Sequence, residues 1–357
     1  MERVLITGGL GFIGSAVARH LIKTTNCKVV VFDSMTYAAM PEAVAEYESH
    51  PRYSFERGNI CDFDLFRQVL EKHRPSIVMH LAAESHVDRS IDSPAQFVQT
   101  NVIGTVQLLQ ACRAYYEGLT SSEKQGFRLH HISTDEVFGA LQPNDPPFTE
   151  MTRYNPRSPY SASKAASDHF VRAWGETFGL PVVLSNCSNN YGPWQFPEKL
   201  IPLMIANGID QKKLPVYGTG ENIRDWLHVE DHAEALWLIA SKGQLSESYN
   251  VGGNSERTNL MVVEAICDVL DETFPDRPAH KSLINFVTDR PGHDFRYAVN
   301  FDRIKKELNW KPRHSFKTGL IQTVEWYIAN EAWWRGILKK TNGANRLGLG
   351  KPKETSK

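Results

Sequence analysis

The chain has 357 residues, 41% of them hydrophobic and 23% charged, and 40 Lys and Arg against 41 Asp and Glu leave a formal charge of −1. That balance argues against a nucleic-acid partner held mainly by phosphate contacts and against a polybasic membrane anchor. The 24 glycines and 19 prolines exclude a collagenous or low-complexity chain, and the length corresponds to roughly two domains at ~100–200 residues each.

Cysteines stand at 27, 61, 112, 187 and 267. The number is odd and no pair has Cys-x-x-Cys spacing, so neither a disulfide framework nor a metal cluster is expected. Met1-Glu2-Arg3 runs straight into an apolar strand, leaving no room for a signal peptide. No uncharged apolar run reaches the ~18 residues of a membrane span. The expected compartment is a reducing cytoplasm.

Short β-rich runs recur at Val4-Leu5-Ile6, Val29 to Phe32, Ile77-Val78-Met79 and Leu129 to Ile132. Continuous apolar runs of this length fit strands of a parallel sheet buried on both faces. Between them Ile13, Val17 and Leu21 share a helical face, as do Leu65, Val69 and Leu70. Repeated strand–helix–strand units predict an α/β fold, a Rossmann-type doubly wound parallel sheet. After Leu184 the rhythm breaks into turn chemistry, from Asn189-Asn190-Tyr191-Gly192-Pro193 through Pro215 to Gly218-Thr219-Gly220, around one short helical stretch. Helical periodicity returns at 230–242 and 262–270. The expected organisation is a nucleotide-binding domain over 1–186 with later elements at about 223–250 and 315–335. A smaller, loop-rich α/β substrate domain takes 187–222 and 251–314, and the 342–357 tail is predicted to be disordered.

Thr7-Gly8-Gly9-Leu10-Gly11-Phe12-Ile13-Gly14 follows the first strand and opens the first helix. Glycines 8, 11 and 14 suit a tight turn, close approach of a pyrophosphate and helix–strand packing, with the helix N-terminus facing the phosphates. Asp33, 19 residues past Gly14, ends the second strand where a carboxylate accepts from an adenosine ribose diol and repels a 2′-phosphate, so NAD is expected over NADP. Asn59-Ile60 is placed at the adenine edge. Leu81-Ala82-Ala83 is placed beside a ribose.

Ser133-Thr134-Asp135-Glu136 closes another strand, and Tyr160 follows 26 residues after Thr134. Tyr160 and Lys164 at i and i+4 share a helix face. An ammonium there, beside an oxidised nicotinamide, favours tyrosinate, lowering the tyrosine pKa toward neutrality so that it can take a hydroxyl proton. Oxidation alone needs no more than tyrosine, lysine and hydroxyl. Asp135 and Glu136 imply a second proton-transfer problem: a ketone acidifies the neighbouring C–H, a base removes it, and an acid protonates a departing hydroxyl. Adjacent carboxyls divide those roles when Asp135 has a raised pKa and Glu136 stays ionised.

These motifs, with Leu81 to Arg89, Asn186 to Pro193, Phe196 to Pro202 and Asp289 to Asp294, resemble the extended short-chain dehydrogenases. Within them the chain is similar to the bacterial nucleotide-sugar 4,6-dehydratases that act on dTDP-glucose, from residue 1 to about 335. Two departures stand out: Phe138 where many relatives have tyrosine, and Asn59 in place of the usual aspartate.

The resemblance implies NAD as cofactor, with Phe12, Ile13, Ser34, Thr36, Ser85, Thr100 and Asn190 completing its shell. It implies that Tyr160, aided by Thr134 and Lys164, deprotonates the sugar C4 hydroxyl, that Glu136 removes the C5 proton, and that Asp135 protonates the C6 hydroxyl. Ser85 is expected to reach the hexose. Lys199, Arg224, Arg290 and His293 are expected at the diphosphate, with Asn189 and Asn259 as amide donors and Leu200, Pro215 and Tyr217 around the base. A homodimer through helices near 94–115 and 160–178 is also implied. A sugar-nucleotide 4-epimerase, a dehydratase of another nucleotide sugar such as UDP-glucose, and a non-catalytic cofactor-sensing module remain as alternatives. His80, His86, His130 and His131 read as packing or hydrogen-bonding residues.

Overall fold

The structure is a computed structural model that describes residues 2–289 and 292–340. Arg290 and the 342–357 tail lie outside the described residues. Strands run in chain order as β1 (Arg3–Thr7), β2 (Lys28–Asp33), β3 (Tyr53–Arg57), β4 (Ile77–His80), β5 (Arg128–Thr134) and β6 (Val182–Cys187). They continue as β7 (Asn189–Tyr191), β8 (Leu214–Tyr217), β9 (Ile223–His228), β10 (Ser248–Val251), β11 (Glu256–Thr258) and β12 (Ile284–Val287).

Seven of them form one sheet in the order β10-β6-β5-β4-β1-β2-β3, every neighbouring pair parallel. Side chains of a strand alternate between faces, and the apolar runs supply a core to each. Val4, Ile6, Val29, Val31 and Met79 pack beneath the helices Phe12–Thr24 and Val229–Lys242. Leu5, Val30, Phe32 and Val78 pack on the other face with the helices Phe63–His73 and Thr105–Glu117. A sheet covered on both sides needs uninterrupted apolar strands, which explains their lack of alternation.

Strand order reverses at β1: the chain builds β2 and β3 on one side, then returns to add β4, β5 and β6 on the other. The loops after β1 and β4 therefore diverge from adjacent strands and leave a crevice at the carboxyl edge. Gly8 makes that junction close, with φ of +67° and a backbone that would put a Cβ 2.7 Å from the Ala82 nitrogen.

The second half departs from the expected loop chemistry. Short strands β7, β9 and β11 form a three-stranded sheet, and β8 pairs with β12. Their interruption by Pro215 and by glycine turns hides them from any period-2 pattern. The helices Leu200–Ile209 and Asn259–Thr273 build a separate apolar cluster around Met204, Ile205, Val262 and Ile266. The 315–335 segment, expected with the nucleotide-binding part, sends Phe316, Leu320, Val324, Tyr327 and Trp334 into this second cluster instead. Apolar periodicity reveals that a helix has a buried face but not which partner receives it.

The first glycine turn leaves no room for a side chain. A Cβ on Gly14 would lie 2.1 Å from the Gly8 carbonyl oxygen, a backbone atom that cannot rotate away. Gly14→Ala should therefore cost roughly 1–3 kcal/mol of stability, read as a lower denaturant midpoint; an unchanged midpoint would show that the turn relaxes freely.

Candidate active site

A cleft of about 450 Å³ opens at the carboxyl edge of the parallel sheet. Every residue expected at the cofactor lines it: Gly8, Gly11 to Gly14, Asp33, Ser34, Thr36, Asn59, Ile60, Leu81 to Ala83, Ser85, Thr100, Tyr160, Lys164 and Asn190. Gly11 caps the first helix without any side-chain bond to the free amides, so those N–H groups and the positive end of the helix dipole face the cleft. Asp33 is buried, and its two carboxylate oxygens accept from the Leu10 and Met35 amides at 3.0 and 2.8 Å. Burial nevertheless pushes its pKa up. Asn59 lines the cleft and uses its side-chain oxygen to accept from the Cys61 amide at 2.9 Å. Asn190 is locked by His232 at 2.8 Å and by its own donation to the Ser188 carbonyl at 2.9 Å.

Thr134 ends β5, and Asp135–Phe138 forms a single tight 3-10 turn. The helix Pro159–Phe178 starts on a Ser158–Ser161 capping box with proline at its first position, two devices that fix where Tyr160 and Lys164 emerge. Tyr160 and Thr134 line the cleft together. Lys164 donates to the Ile132 carbonyl at 2.9 Å. Asp135 is buried, and its Oδ2 has no hydrogen-bond partner among the described residues. Loss of water, then the neighbouring charges of Glu136 and Asp225, raise its pKa well above the usual carboxylate range. Glu136, one residue on, is only half-buried. A carboxyl kept neutral beside a more exposed one is the division of labour expected for this pair.

Tyr160 departs from expectation. Burial first, then Glu136 and Cys187, hold its pKa well above the ordinary tyrosine value, with Thr134 opposing them. The pocket that shields the chemistry also desolvates the phenolate and sets a carboxylate next to it. Lys164 is itself pulled down by burial, opposed by Asp168. Asp168, two helical turns past Tyr160, accepts from Ser133 at 2.7 Å, from Tyr154 at 2.9 Å and from His131 at 3.0 Å. That buried network pins β5 to the catalytic helix. Asn101, in the π-helical stretch Val98–Gly104, donates to Ser163 and to the Glu84 carbonyl, both at 2.9 Å. His80 bridges Thr7 and Thr105 at 2.8 and 3.0 Å, and His130 meets Ser185 at 2.9 Å. Among the described residues no cluster of three or more His, Cys, Asp or Glu could hold a metal.

On the substrate side, Ser85, Asn189 and Lys199 line the cleft with Thr134, Asp135 and Glu136. Arg224 is not an exposed clamp: it is buried, donates to the carbonyls of Ile223, Asp294 and Phe295 at 2.7, 2.9 and 3.2 Å, and stacks 4.4 Å over Tyr297. The segment after β12 folds back along the start of β9, where Ile223 donates to the Phe295 carbonyl at 2.8 Å and accepts from the Tyr297 amide at 3.1 Å, and this pairing gathers the three carbonyls around the guanidinium. Leu200 packs against the second apolar cluster. Pro215 sits in β8 facing β12. Asn259 starts a helix and bonds through its amide to the Asn222 carbonyl. Tyr217 and His293 meet edge to face at 6.4 Å, with His293 held by Asp289 at 2.7 Å. None of these last five lines the cleft. Tyr37, Glu84, Gln96, Cys187, Gln195, Phe196 and Glu198 do line it and were not singled out; Glu84, Cys187, Phe196 and Glu198 lay within motifs already quoted, and Tyr37, Gln96 and Gln195 carry no local signal.

Asp135 binds its proton more tightly in the folded chain than in an unfolded one. Its contribution is therefore fully present below the unfolded value and is lost as pH rises toward the folded one. Asp135→Asn should flatten the loss of stability as pH rises above the ordinary carboxylate range, measured by denaturant unfolding as a function of pH; parallel curves for the two proteins would contradict this assignment.

A family described as GDP-mannose 4,6 dehydratase matches residues 5–323. A dTDP-glucose 4,6-dehydratase of Neisseria meningitidis is 54% identical over 355 residues, covering 98% of this chain and 100% of that protein. A dTDP-glucose 4,6-dehydratase from Bacillus anthracis, solved in complex with NAD, superposes with a TM-score of 0.84 at 41% identity over 94% of this chain and 100% of that one. Its counterpart from Streptomyces venezuelae, also with NAD bound, gives a TM-score of 0.86 at 40% identity, covering 94% and 99%. Agreement of this extent over sequence and fold shows that the chain belongs to the dTDP-glucose 4,6-dehydratase family.

Proposed function

We propose that this chain dehydrates dTDP-glucose to dTDP-4-keto-6-deoxyglucose, with NAD as a cofactor regenerated in every turnover. The observation that carries this reading is the buried, partnerless Asp135 oxygen beside Glu136 and Tyr160. A simple sugar oxidoreductase or a 4-epimerase has no use for a neutral carboxyl at that point. NAD fits the site: glycines 8, 11 and 14 clear the backbone path, the uncapped helix start offers amides to the pyrophosphate, and Asp33 presents fixed acceptors to a ribose. When bound, NAD supplies a cationic ring that opposes the upward shift of Tyr160 and a reversible acceptor for the electrons taken from C4 and returned at C6.

The chain's own groups do the proton work. Tyr160, with Thr134 beside it in the cleft, takes the proton of the C4 hydroxyl, and the Lys164 ammonium stabilises the tyrosinate that results. Glu136 removes the C5 proton, made acidic by the C4 ketone. Asp135, neutral because it is buried, gives its proton to the departing C6 hydroxyl. Ser85, Asn189 and Lys199 hold the sugar and its diphosphate within the cleft. Tyr217 and His293 stand together outside its lining. Residues 1–186 with the helix Val229–Lys242 serve the cofactor, and the second apolar cluster carries the substrate loops.

The protein works as a homodimer in a reducing cytoplasm. Val98, Ile103, Phe170 and Phe178 are exposed at 51, 41, 38 and 39% on the Val98–Gly104 and Pro159–Phe178 segments, apolar surface that a second copy would cover. All five cysteines are free, and no helix of the described residues is long and apolar enough to cross a membrane.

Incubation with dTDP-glucose and, separately, UDP-glucose without added oxidant tests the reaction. A product lighter by one water from dTDP-glucose alone is expected, and an isomer of unchanged mass would identify an epimerase. Glu136→Gln should still oxidise C4 yet fail to exchange the C5 proton with deuterated water; normal exchange removes Glu136 as the base. Light scattering should give twice the chain mass, and a monomer would refute the dimer.

A further inference from the structure

A redox-neutral cycle imposes a demand that the proton-transfer groups do not meet. Between C4 oxidation and the return of electrons at C6, the reduced cofactor must stay where it is. If it leaves, the hydride taken from C4 leaves with it, and the proton of the C4 hydroxyl passes to solvent. The sugar is then stranded as a ketone, and one NAD is consumed per sugar.

The rim of the cleft carries a set of side chains that joins its two walls. Tyr37 comes from the loop after Asp33, the ribose-facing wall. Phe196 and Glu198 come from the loop after β7, on the opposite side. The rings of Tyr37 and Phe196 meet edge to face at 5.6 Å and 89°. Arg89, on the helix Val87–Asp92, places its guanidinium 4.1 Å over the Tyr37 ring and donates to Glu198 at 2.8 Å. One arginine therefore binds both walls, by cation–π attraction on one side and a charge-assisted hydrogen bond on the other. Lys199 adds a second crossing, donating to the Ser85 carbonyl at 3.2 Å.

Both joined loops hold a non-glycine residue in left-handed backbone: Met35 at φ +56° and Trp194 at φ +68°. Such residues persist only where the surroundings enforce them. For Trp194 the enforcement is visible. Its ring lies 4.8 Å from Trp326 and 5.1 Å from Trp333, and Tyr327 donates to the Gln195 carbonyl. The C-terminal helices thus brace the Phe196–Glu198 side of the junction.

We propose that Tyr37, Arg89, Phe196 and Glu198 form a clasp that keeps the dinucleotide in its cleft between its reduction and its reoxidation. The inference rests on the NAD-dependent reading of the cleft, and its test separates the two. Protein loaded with NAD is passed through rapid gel filtration at intervals, and the nucleotide still bound is measured for the parent, Glu198→Gln and Tyr37→Ala. Glu198→Gln keeps the shape and removes the charge; Tyr37→Ala acts on a side chain at the exposed rim. Each variant should lose NAD roughly tenfold faster or more, since loosening a site acts mainly on the off-rate. The denaturant midpoint should not change. During turnover of dTDP-glucose the variants should also release reduced cofactor into solution, and added NAD should raise their rate but not the parent's. Equal NAD lifetimes in all three proteins overturn the clasp and leave the cofactor assignment standing. A parent that binds no NAD at all overturns the assignment and the clasp with it.

Discussion

Two adjacent carboxyls cannot both ionise cheaply in a pocket that excludes water, and the end of β5 sets which one does. Asp135 turns inward at the start of a 3-10 turn, where burial and the negative charge of Glu136 keep it protonated. Glu136 stays nearer the cleft. The same desolvation reaches Tyr160, whose pKa rises for the same two reasons. Each group is thereby poised to move a proton only when a ligand changes the charge around it.

That arrangement depends on rigid support from behind. Asp168 draws Ser133, Tyr154 and His131 onto one buried carboxylate and lies one helical turn beyond Lys164. Removing it would leave a buried histidine and two hydroxyls unpaired, which costs more than the bonds themselves contribute. Asn101 does the equivalent on the cofactor side, coupling the loop after β4 to Ser163 on the catalytic helix. Cofactor strands and catalytic helix are therefore positioned by one continuous set of buried hydrogen bonds.

Much of the first half was legible before any coordinates. The strands of a two-faced parallel sheet betray themselves by unbroken apolar runs, and the segment Thr7 to Gly14 has spacing that serves few other turns. Thr134, Asp135, Glu136, Tyr160 and Lys164 follow from register along one strand end and one helix face, and all five line the cleft. The second half resisted for physical reasons. Strands of three to six residues, broken by proline and glycine, leave no periodicity to read. Arg224 carried the composition of a phosphate clamp, yet three backbone carbonyls claim its guanidinium.

Local chemistry at fixed spacing was determined by the sequence alone: the glycine turn, the Asp33 carboxylate at the end of β2, the paired acids, and the tyrosine and lysine one turn apart. Each depends on residues close along the chain, where backbone geometry leaves little choice. Tertiary structure alone decided where the helix Phe316–Ala329 packs, that Arg224 is interior, that Tyr160 rests as a phenol, and that Arg89 ties Tyr37 to Glu198. Those outcomes depend on desolvation and on contacts between residues far apart in sequence, and neither leaves a trace in local pattern.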